Sequence, residues 1–544
     1  MNILRPRVFF LLLLISSSAF AVRVERLVDN WRPEHYLVNI TLNDQLTEIS
    51  SASARINVRI LKPTRVIDLD FGELTVDRVT VNSKAVEFTH KEGKILVALP
   101  EQAQAGDTLP LTVDYHGKPK DGLILTKDKD GNAAAVGDNW PDRVHYWIPT
   151  LDHPSAKATV TFNITAPANQ EVVANGKLDH VETTETGQRT WTFSEGAPIP
   201  PYCMIIAVGQ FAKVQAVAGA ITPLSYYVPL SERDLAQKGF SPAGPVLEYF
   251  TNTVAPYPYE KLGLIVGATR FGGMENSSAI VFTSNLFNRA ATPSIGMSAR
   301  FGVPSNTVSL IAHEIAHQWF GDSVTESTWS DLWLSEGFAT YFAALFVQRF
   351  EGEDAFRASL NNAALTVFAY EKKKLVPIFD RDTENLMELL NANNYQKGAW
   401  VLHMLRSQLG DDAFFSGIKN YYSSHKHSTA SSEDLRAALE KASGKDLRTF
   451  FARWVYDSGH PQYELAYYWL GQRELRIVLS QRQPGNVFTD PVPVTISTAS
   501  GKRDIVLKPT GKLFIERVPL RQKPTGVEVD PHNVLLDETT IKGN

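Results

Sequence analysis

Short runs of alternating apolar and polar residues dominate the first part of the chain. Residues 35–42 and 158–164 are two clear examples. Such alternation is typical of strands that bury one face, so we expect an all-β domain over residues 22–228. The alternation returns near the end of the chain, as in residues 474–479. It predicts a small β-sandwich over residues 461–544.

The middle of the chain, residues 229–460, has longer stretches with apolar residues at helical spacing. Apolar positions three and four apart indicate helices that pack one face on a core. The clearest stretches are residues 308–320, 337–350, 395–409 and 432–441. With β regions on both sides, the pattern predicts a multidomain α+β protein whose middle domain carries the helices.

The first 21 residues have the pattern of a secretion signal. Arg5 and Arg7 precede an apolar run over residues 8–15, and Ala19-Phe20-Ala21 fits a cleavage site. The run is too short to span a bilayer as a helix. We therefore expect a cleaved signal peptide, a secreted or periplasmic mature chain that begins at Val22, and no stable membrane anchor.

Charge and cysteine content narrow the classes of function. The formal net charge is -5, which gives no basic surface for nucleic acid, and we expect no nucleic acid partner. The single cysteine, Cys203, excludes an intramolecular disulfide. It stands in an apolar run, which predicts a buried and unreactive thiol.

The most informative segment is His313-Glu314-Ile315-Ala316-His317. Residues four apart share one helix face, so both imidazoles can bind one ion. A catalytic zinc has three protein ligands and one open position. Glu336, nineteen residues after His317 and on the next predicted helix, is the candidate third ligand. The alternative for the motif alone is an amphipathic helix with two surface histidines.

Three motifs resemble the aminopeptidase N family of gluzincin zinc aminopeptidases, which includes the leukotriene hydrolase branch. They are His-Glu-Ile-Ala-His-Gln-Trp-Phe-Gly-Asp at 313–322, Trp-Leu-Ser-Glu-Gly-Phe-Ala at 333–339 and Gly-Gly-Met-Glu-Asn at 272–276. The likeness runs over nearly the whole mature chain. It implies an N-terminal all-β saddle domain, a thermolysin-like α/β catalytic domain and a small C-terminal β-sandwich. We expect no C-terminal helical domain of the kind that caps the cleft in long relatives.

The resemblance also implies an activity and a role for each motif residue. The implied reaction is hydrolysis of the N-terminal peptide bond of peptides, with one bound zinc ion. We expect a monomer, although the sequence does not determine the oligomeric state. His313, His317 and Glu336 are the implied metal ligands. A water activated by zinc and Glu314 attacks the carbonyl, and zinc and Tyr395 stabilise the oxyanion. The implied substrate-binding residues are Gly272, Gly273, Met274, Glu275 and Asn276, with Glu275 holding the substrate amine.

Two features depart from the family pattern. Relatives usually present Gln or Glu from the N-terminal domain beside the substrate amine, where this chain has Asp138 and Trp140. Many relatives also carry an acid seven residues after the third ligand, where this chain has Ala343. Amine recognition is therefore expected to depend more on Glu275, with Asp138 as a possible helper.

Three alternatives to a zinc aminopeptidase are each disfavoured by one feature of the sequence. A non-catalytic peptide-binding protein on the same scaffold would need neither Glu314 nor Tyr395. A bifunctional epoxide hydrolase would need the helical domain of the leukotriene branch. A zinc endopeptidase would not need Glu275.

Overall fold

The computed structural model describes residues 25–216, 222–288, 301, 303–471 and 473–543. The predicted signal peptide, residues 1–21, lies outside the described residues. The predicted fold class is confirmed, because an all-β region precedes a mixed α/β region and further strands follow it. The domain boundaries themselves stay predictions.

An eight-stranded sheet organises the N-terminal region. Alternate residues of its strand Trp31–Leu42, from Tyr36 to Leu42, are buried, as the sequence pattern predicts. In sheet order the strands are Lys177–Thr183, Arg189–Ile199, Ala158–Ala166, Trp31–Leu42, Ile49–Ile60, Thr108–Gly117, Thr75–Val81 and Lys84–Ala85. One apolar core lies between this sheet and the smaller sheets beside it.

Two smaller sheets complete the N-terminal region. One contains Thr64–Asp70, Lys94–Ala103 and Phe88–Lys91, and the other contains Glu171–Ala174, Ile206–Gly209, Ala133–Gly137 and Leu123–Lys127. Cys203 lies just before the strand Ile206–Gly209 and is fully buried, as predicted.

A five-stranded sheet connects the N-terminal region with the helical region. Its order is Phe211–Gln215, Leu224–Pro229, Leu262–Gly267, Ala279–Thr283 and Gly273–Met274. The predicted boundary between residues 228 and 229 therefore falls inside this sheet. The residues of the strands Leu224–Pro229 and Leu262–Gly267 are almost continuously buried, so no alternation marks them in the sequence. The edge strand Gly273–Met274 pairs antiparallel with Ala279–Thr283.

The helices enclose the second apolar core. The α-helices are Ala236–Gly239, Ala243–Thr253, Ser305–His317, Trp333–Glu351, Glu353–Glu371, Gly398–Leu409, Asp411–His425, Ser432–Ser443 and Arg448–Trp454, and Asn393–Lys397 is a π-helical turn. A short sheet of Val324–Glu326 and Ser428–Ala430 lies among them. Within the described part of the chain, no helix combines the length and apolar character needed to cross a membrane.

Two sheets form the C-terminal region. One contains Leu513–Pro519, Glu474–Gln481, Gln462–Trp469 and Glu538–Gly543, and the other contains Gly501–Leu507, Val492–Thr498 and Gly526–Val529. Their buried residues, such as Leu465 and Ile477, belong to the same apolar cluster as the helices. The C-terminal sheets therefore share one continuous core with the helical region.

Candidate active site

The helix Ser305–His317, here called the histidine helix, carries the first part of the site. Val308, Ile311 and Ile315 bury one of its faces completely in the core. His313 and His317, four residues apart, lie together on another face, with ring centroids 4.7 Å apart. The spacing of four residues therefore places the two imidazoles on one face of the helix, as the sequence predicts.

Glu336 meets both imidazoles from the helix Trp333–Glu351, here called the glutamate helix. Oε2 of Glu336 lies 3.2 Å from Nε2 of His313 and 3.3 Å from Nε2 of His317. The two Nε2 atoms are 3.1 Å apart. Three ligands at zinc bond lengths in a tetrahedron would be separated by about 3.3 Å. We call Nε2 of His313, Nε2 of His317 and Oε2 of Glu336 the ligand triangle, and it fits a zinc ion both in its chemistry and in its dimensions.

Two contacts at Nδ1 fix the orientation of the His317 ring. Nδ1 of His317 lies 3.1 Å from the carbonyl oxygen of Phe320 and 3.0 Å from Oγ of Ser335. An Nδ1–H that donates to the carbonyl leaves a lone pair on Nε2, which is the form that binds a metal. Burial raises the pKa of Glu336, but the imidazoles of His317 and His313 outweigh burial and hold that pKa far below its usual value.

Tyr395 contacts both helices at the ligand triangle. Its hydroxyl donates to Oε1 of Glu336 at 2.7 Å, and its ring stacks on His313 with 5.9 Å between centroids. The residue lies in the π-helical turn Asn393–Lys397, immediately before the helix Gly398–Leu409. Such turns occur often at functional sites because they change the direction of a side chain on a helix.

Gly273 lies directly against Glu314. A Cβ atom on Gly273 would overlap the carboxylate of Glu314. The edge strand can therefore lie this close to the histidine helix only because residue 273 is a glycine. Both residues line the same cavity. The close approach confines the Glu314 carboxylate beside the ligand triangle, and no sequence motif alone specifies that contact.

Gln318 holds the segment that carries Glu275. Its Nε2 donates to the carbonyl oxygen of Glu275 at 2.9 Å and to Oδ2 of Asp322 at 2.7 Å. Its Oε1 accepts from the backbone N–H of Ser278 at 2.8 Å and from the hydroxyl of Tyr257 at 2.9 Å. Sequence reasoning missed Gln318, although the residue follows His317 directly in the motif.

Lys157 holds the segment after the histidine helix from the other side. Its Nζ donates to the carbonyl oxygens of Asp322 and Ser323, both at 2.8 Å, and to Oγ1 of Thr325 at 2.9 Å. Lys157 belongs to the N-terminal region, immediately before the strand Ala158–Ala166. Sequence reasoning missed this lysine too, because nothing in the chain near it indicates such a distant partner.

One cavity of about 570 Å³ contains most of the predicted site. Nine of the ten predicted residues line it, namely His313, Glu314, His317, Glu336, Tyr395, Gly272, Gly273, Met274 and Glu275. The tenth, Asn276, is fully buried outside the cavity, and its amide donates back to the carbonyl oxygen of Met274 at 3.3 Å. Burial raises the pKa of Glu275 to about 7, although the nearby His317 opposes that shift.

Asp138 and Trp140, which stand where relatives usually present Gln or Glu to the substrate amine, differ in their position relative to the cavity. Trp140 lines the cavity, with its ring edge-on to Phe271 and Trp329 at 6.1 and 5.7 Å. Asp138 does not line the cavity. Its carboxylate is fully buried, where it pairs with Arg143 at 3.3 Å. Ala343, the second departure from the family pattern, also lines the cavity.

Comparison with known proteins agrees with this geometry. The M1 N-terminal domain model of the peptidase family matches residues 32–203, and the peptidase family M1 domain model matches residues 241–454. Tricorn protease-interacting factor F2 of Thermoplasma acidophilum is 26% identical over 471 residues, which are 82% of this chain and 56% of that protein.

Two eukaryotic proteins match this chain at a similar identity and over a similar share of its length. Glutamyl aminopeptidase of Homo sapiens is 28% identical over 464 residues, 80% of this chain and 47% of that protein. Aminopeptidase 2 of Candida albicans is 26% identical over 465 residues, 82% of this chain and 49% of that protein. The chain thus spans about half the length of the curated relatives it matches. With both domain models matched and the ligand triangle assembled, the chain belongs to the peptidase M1 family.

Proposed function

We propose that the protein is a zinc-dependent aminopeptidase that removes single residues from the free amino end of peptides. The observation that carries the proposal is the placement of Glu275 in one cavity with Glu314 and the ligand triangle. A hydrolytic centre alone would suit any peptidase. A buried carboxylate beside it suits a substrate whose terminal ammonium lies one residue from the bond that is cut. The names of the relatives, several of which are aminopeptidases, support the same activity.

The proposed roles follow from the position of each side chain. Bound by His313, His317 and Glu336, a zinc ion would supply a Lewis acid for the substrate carbonyl and the attacking water. Glu314 accepts the proton of that water and passes it to the leaving amine. Confinement by Gly273 keeps its carboxylate at this place.

Two further side chains bind the substrate. The hydroxyl of Tyr395, which donates to Glu336 in this structure, turns to donate to the oxyanion as it forms. The carboxylate of Glu275 accepts hydrogen bonds from the substrate ammonium. Gln318 fixes the backbone of Glu275, so that the anion does not have to be positioned anew for each substrate.

The first test is hydrolysis of leucine arylamide by the purified protein, before and after removal of metal. We expect chelation to abolish turnover and added zinc to restore it. Glu314→Gln, purified in the same way, should bind zinc but release no arylamine, which excludes a contaminating peptidase. Full turnover by protein without bound metal would refute the metal assignment.

A second test separates an aminopeptidase from an endopeptidase. One peptide is digested in a free form and in an N-acetylated form, and the products are identified by mass spectrometry. We expect stepwise loss of residues from the free form only, because acetylation removes the charge that Glu275 binds. Internal cleavage of both forms at similar rates would refute the aminopeptidase.

The alternative is a non-catalytic peptide-binding protein on the same scaffold. Such a protein would need the Glu275 side of the cavity but neither Glu314 nor Tyr395. The chain has both residues, with Tyr395 in contact with Glu336 and Glu314 beside His317, which counts against this alternative. Slow or absent arylamide hydrolysis together with measurable peptide binding would favour this alternative.

Export of the protein belongs to the same proposal. It depends on the pattern of residues 1–21. Expression of the full chain in a bacterial host, followed by cell fractionation and N-terminal sequencing, tests it. We expect the mature chain to begin at Val22 outside the cytoplasm, and an intact Met1 on cytoplasmic protein would contradict the proposal.

A further inference from the structure

The C-terminal region contains a basic segment that the net charge of the chain conceals. Residues 502–523 include seven lysines or arginines and two acids, a formal charge of +5 in a chain whose total is -5. The segment forms most of the edge strands Gly501–Leu507 and Leu513–Pro519, which belong to different sheets. Arg503 donates from Nη1 to the carbonyl oxygen of Pro519, so one end of each strand lies against the other.

A cleft of about 450 Å³, here called the basic cleft, opens at this end of the two strands. Four cations line it, namely Arg473, Lys502, Arg503 and Arg521, and the other described residues of its wall carry no charge. All four residues are exposed, and among the described residues no carboxylate forms an ion pair with any of them. Their combined positive charge is therefore available to an anion from outside the protein.

Two exposed aliphatic side chains lie on the strand face that leads to the basic cleft. Alternate residues of a strand point to the same side of the sheet, so Leu513, Ile515, Arg517 and Pro519 share one face. Pro519 lines the basic cleft, while Leu513 and Ile515, nearer the other end of the strand, are 61% and 53% exposed. Arg517, between them, pairs with Glu474 at 3.4 Å. The face therefore combines apolar surface with the positive charge of the basic cleft over a length of about 20 Å.

We propose that this face binds reversibly to the surface of a bilayer that contains anionic phospholipids. The cations of the basic cleft bind the lipid phosphate groups, and Leu513 and Ile515 enter the boundary between headgroups and acyl chains. A soluble polyanion would be attracted by the same cations, but it would gain nothing from two exposed aliphatic side chains, so the observations favour a bilayer. The inference does not rest on the proposed function, because no residue of the active-site cavity takes part.

The first experiment measures co-sedimentation of the purified protein with lipid vesicles. One set contains phosphatidylcholine and phosphatidylglycerol at about two to one, and the other contains phosphatidylcholine alone; we expect the anionic set to bind the protein about tenfold more tightly or better. Raising the salt concentration from about 0.1 M to about 0.5 M should release most of the bound protein, because it shortens the screening length. Equal binding to both sets, or no binding to the anionic set at low salt, would overturn the proposal.

Two charge-removing variants test the location of the contact. Lys502→Gln combined with Arg521→Gln should weaken binding to anionic vesicles by about tenfold or more, since each cation at such a surface contributes a factor of about five. Arg65→Gln combined with Lys84→Gln is the matched control, because it removes one exposed arginine and one exposed lysine from the N-terminal region. Its binding should stay within about twofold of wild type. The thermal midpoint of each variant reports its folding, and equal losses of binding in both variants would overturn the assignment to the basic cleft.

The aliphatic pair separates a bilayer from other anionic partners. Leu513→Ser combined with Ile515→Ser should weaken binding to anionic vesicles by about tenfold and leave binding to inorganic polyphosphate unchanged. Leu230→Ser combined with Leu235→Ser is the control, since these leucines are 50% and 46% exposed elsewhere on the protein, and vesicle binding should not change. Vesicle binding that does not depend on Leu513 and Ile515 would make a soluble polyanion the ligand and overturn the proposal. Self-association that requires the basic cleft, without binding to vesicles, would make a second copy of the chain the occupant and would also overturn it.

Discussion

Lys397 and Glu371 form an ion pair inside the protein, with Nζ of Lys397 2.6 Å from Oε1 of Glu371 and both side chains almost fully excluded from solvent. Nζ also donates to the carbonyl oxygen of Gly459 at 2.9 Å. The other carboxylate oxygen of Glu371 contacts Nδ1 of His460 at 2.5 Å. Because Lys397 ends the π-helical turn that carries Tyr395, this pair connects the site to the beginning of the C-terminal sheets.

The ion pair predicts a large effect on stability. Lys397→Met should lower the free energy of unfolding by about 3–5 kcal/mol, because a buried carboxylate would lose its main partner. Urea denaturation measures the change. Lys372→Met is the matched control, since Lys372 pairs with Glu538 at 3.2 Å but is 66% exposed, and its loss should cost under about 1 kcal/mol. Equal effects of the two substitutions would contradict the prediction.

Gly273→Ala should inactivate the protein without unfolding it. The added methyl group would displace the Glu314 carboxylate, and a displacement near 1 Å is enough to lower kcat by about 100-fold. Gly267→Ala is the control on the same sheet, because a Cβ there would meet its nearest atom at 3.6 Å, an ordinary contact. The measurements are kcat, zinc content and the thermal midpoint. Retained activity in Gly273→Ala would show that the Glu314 carboxylate has freedom to move.

Tyr395→Phe should lower kcat by about 10²–10³ and change KM little, as expected for a donor that acts mainly on the transition state. Zinc content should be unchanged, because the hydroxyl contacts Glu336 and is not itself one of the proposed metal ligands. Tyr341→Phe is the control: it removes a buried hydroxyl that lies 3.2 Å from His403, outside the cavity lining. A raised KM with unchanged kcat in Tyr395→Phe would make Tyr395 a ground-state binding residue.

Glu275→Gln should lower kcat/KM for substrates with a free amine by about ten- to a hundredfold, the effect of losing a charge-assisted hydrogen bond. Asp138→Asn tests the second candidate for amine binding. Asp138 is buried against Arg143 and does not line the cavity, so kcat/KM of the Asp138→Asn variant should stay close to the wild-type value. A larger loss in Asp138→Asn than in Glu275→Gln would reverse the two roles.

Helix periodicity made part of the site predictable from sequence. His313 and His317 are close in space because they are four residues apart on one helix, and no tertiary information is needed to place them together. The alternation of the N-terminal strands was equally informative, because burial of one sheet face constrains every second residue. The helices of the middle region and the β tail followed from changes in this periodicity, whereas the α/β character of the middle was implied by the resemblance to the aminopeptidase N family.

Other parts of the site depend on packing between distant segments. The hydrogen bonds of Gln318 reach residues about 40 positions earlier, and neither their partners nor their geometry is encoded in local spacing. The inward turn of Asn276 and the burial of Asp138 are also decided by neighbours from other elements.

The hydrogen bonds of Lys157 set a limit on dividing the chain into independent modules. A fragment that starts near residue 229 would keep every predicted ligand but lose the ammonium group that joins Asp322, Ser323 and Thr325. Those oxygens would then have to be solvated or paired differently in the loop directly after His317. Exchange of the N-terminal region between homologous proteins would therefore have to preserve a lysine at this position. Without it, the second half of the chain would lose the support for the loop that follows the histidine helix.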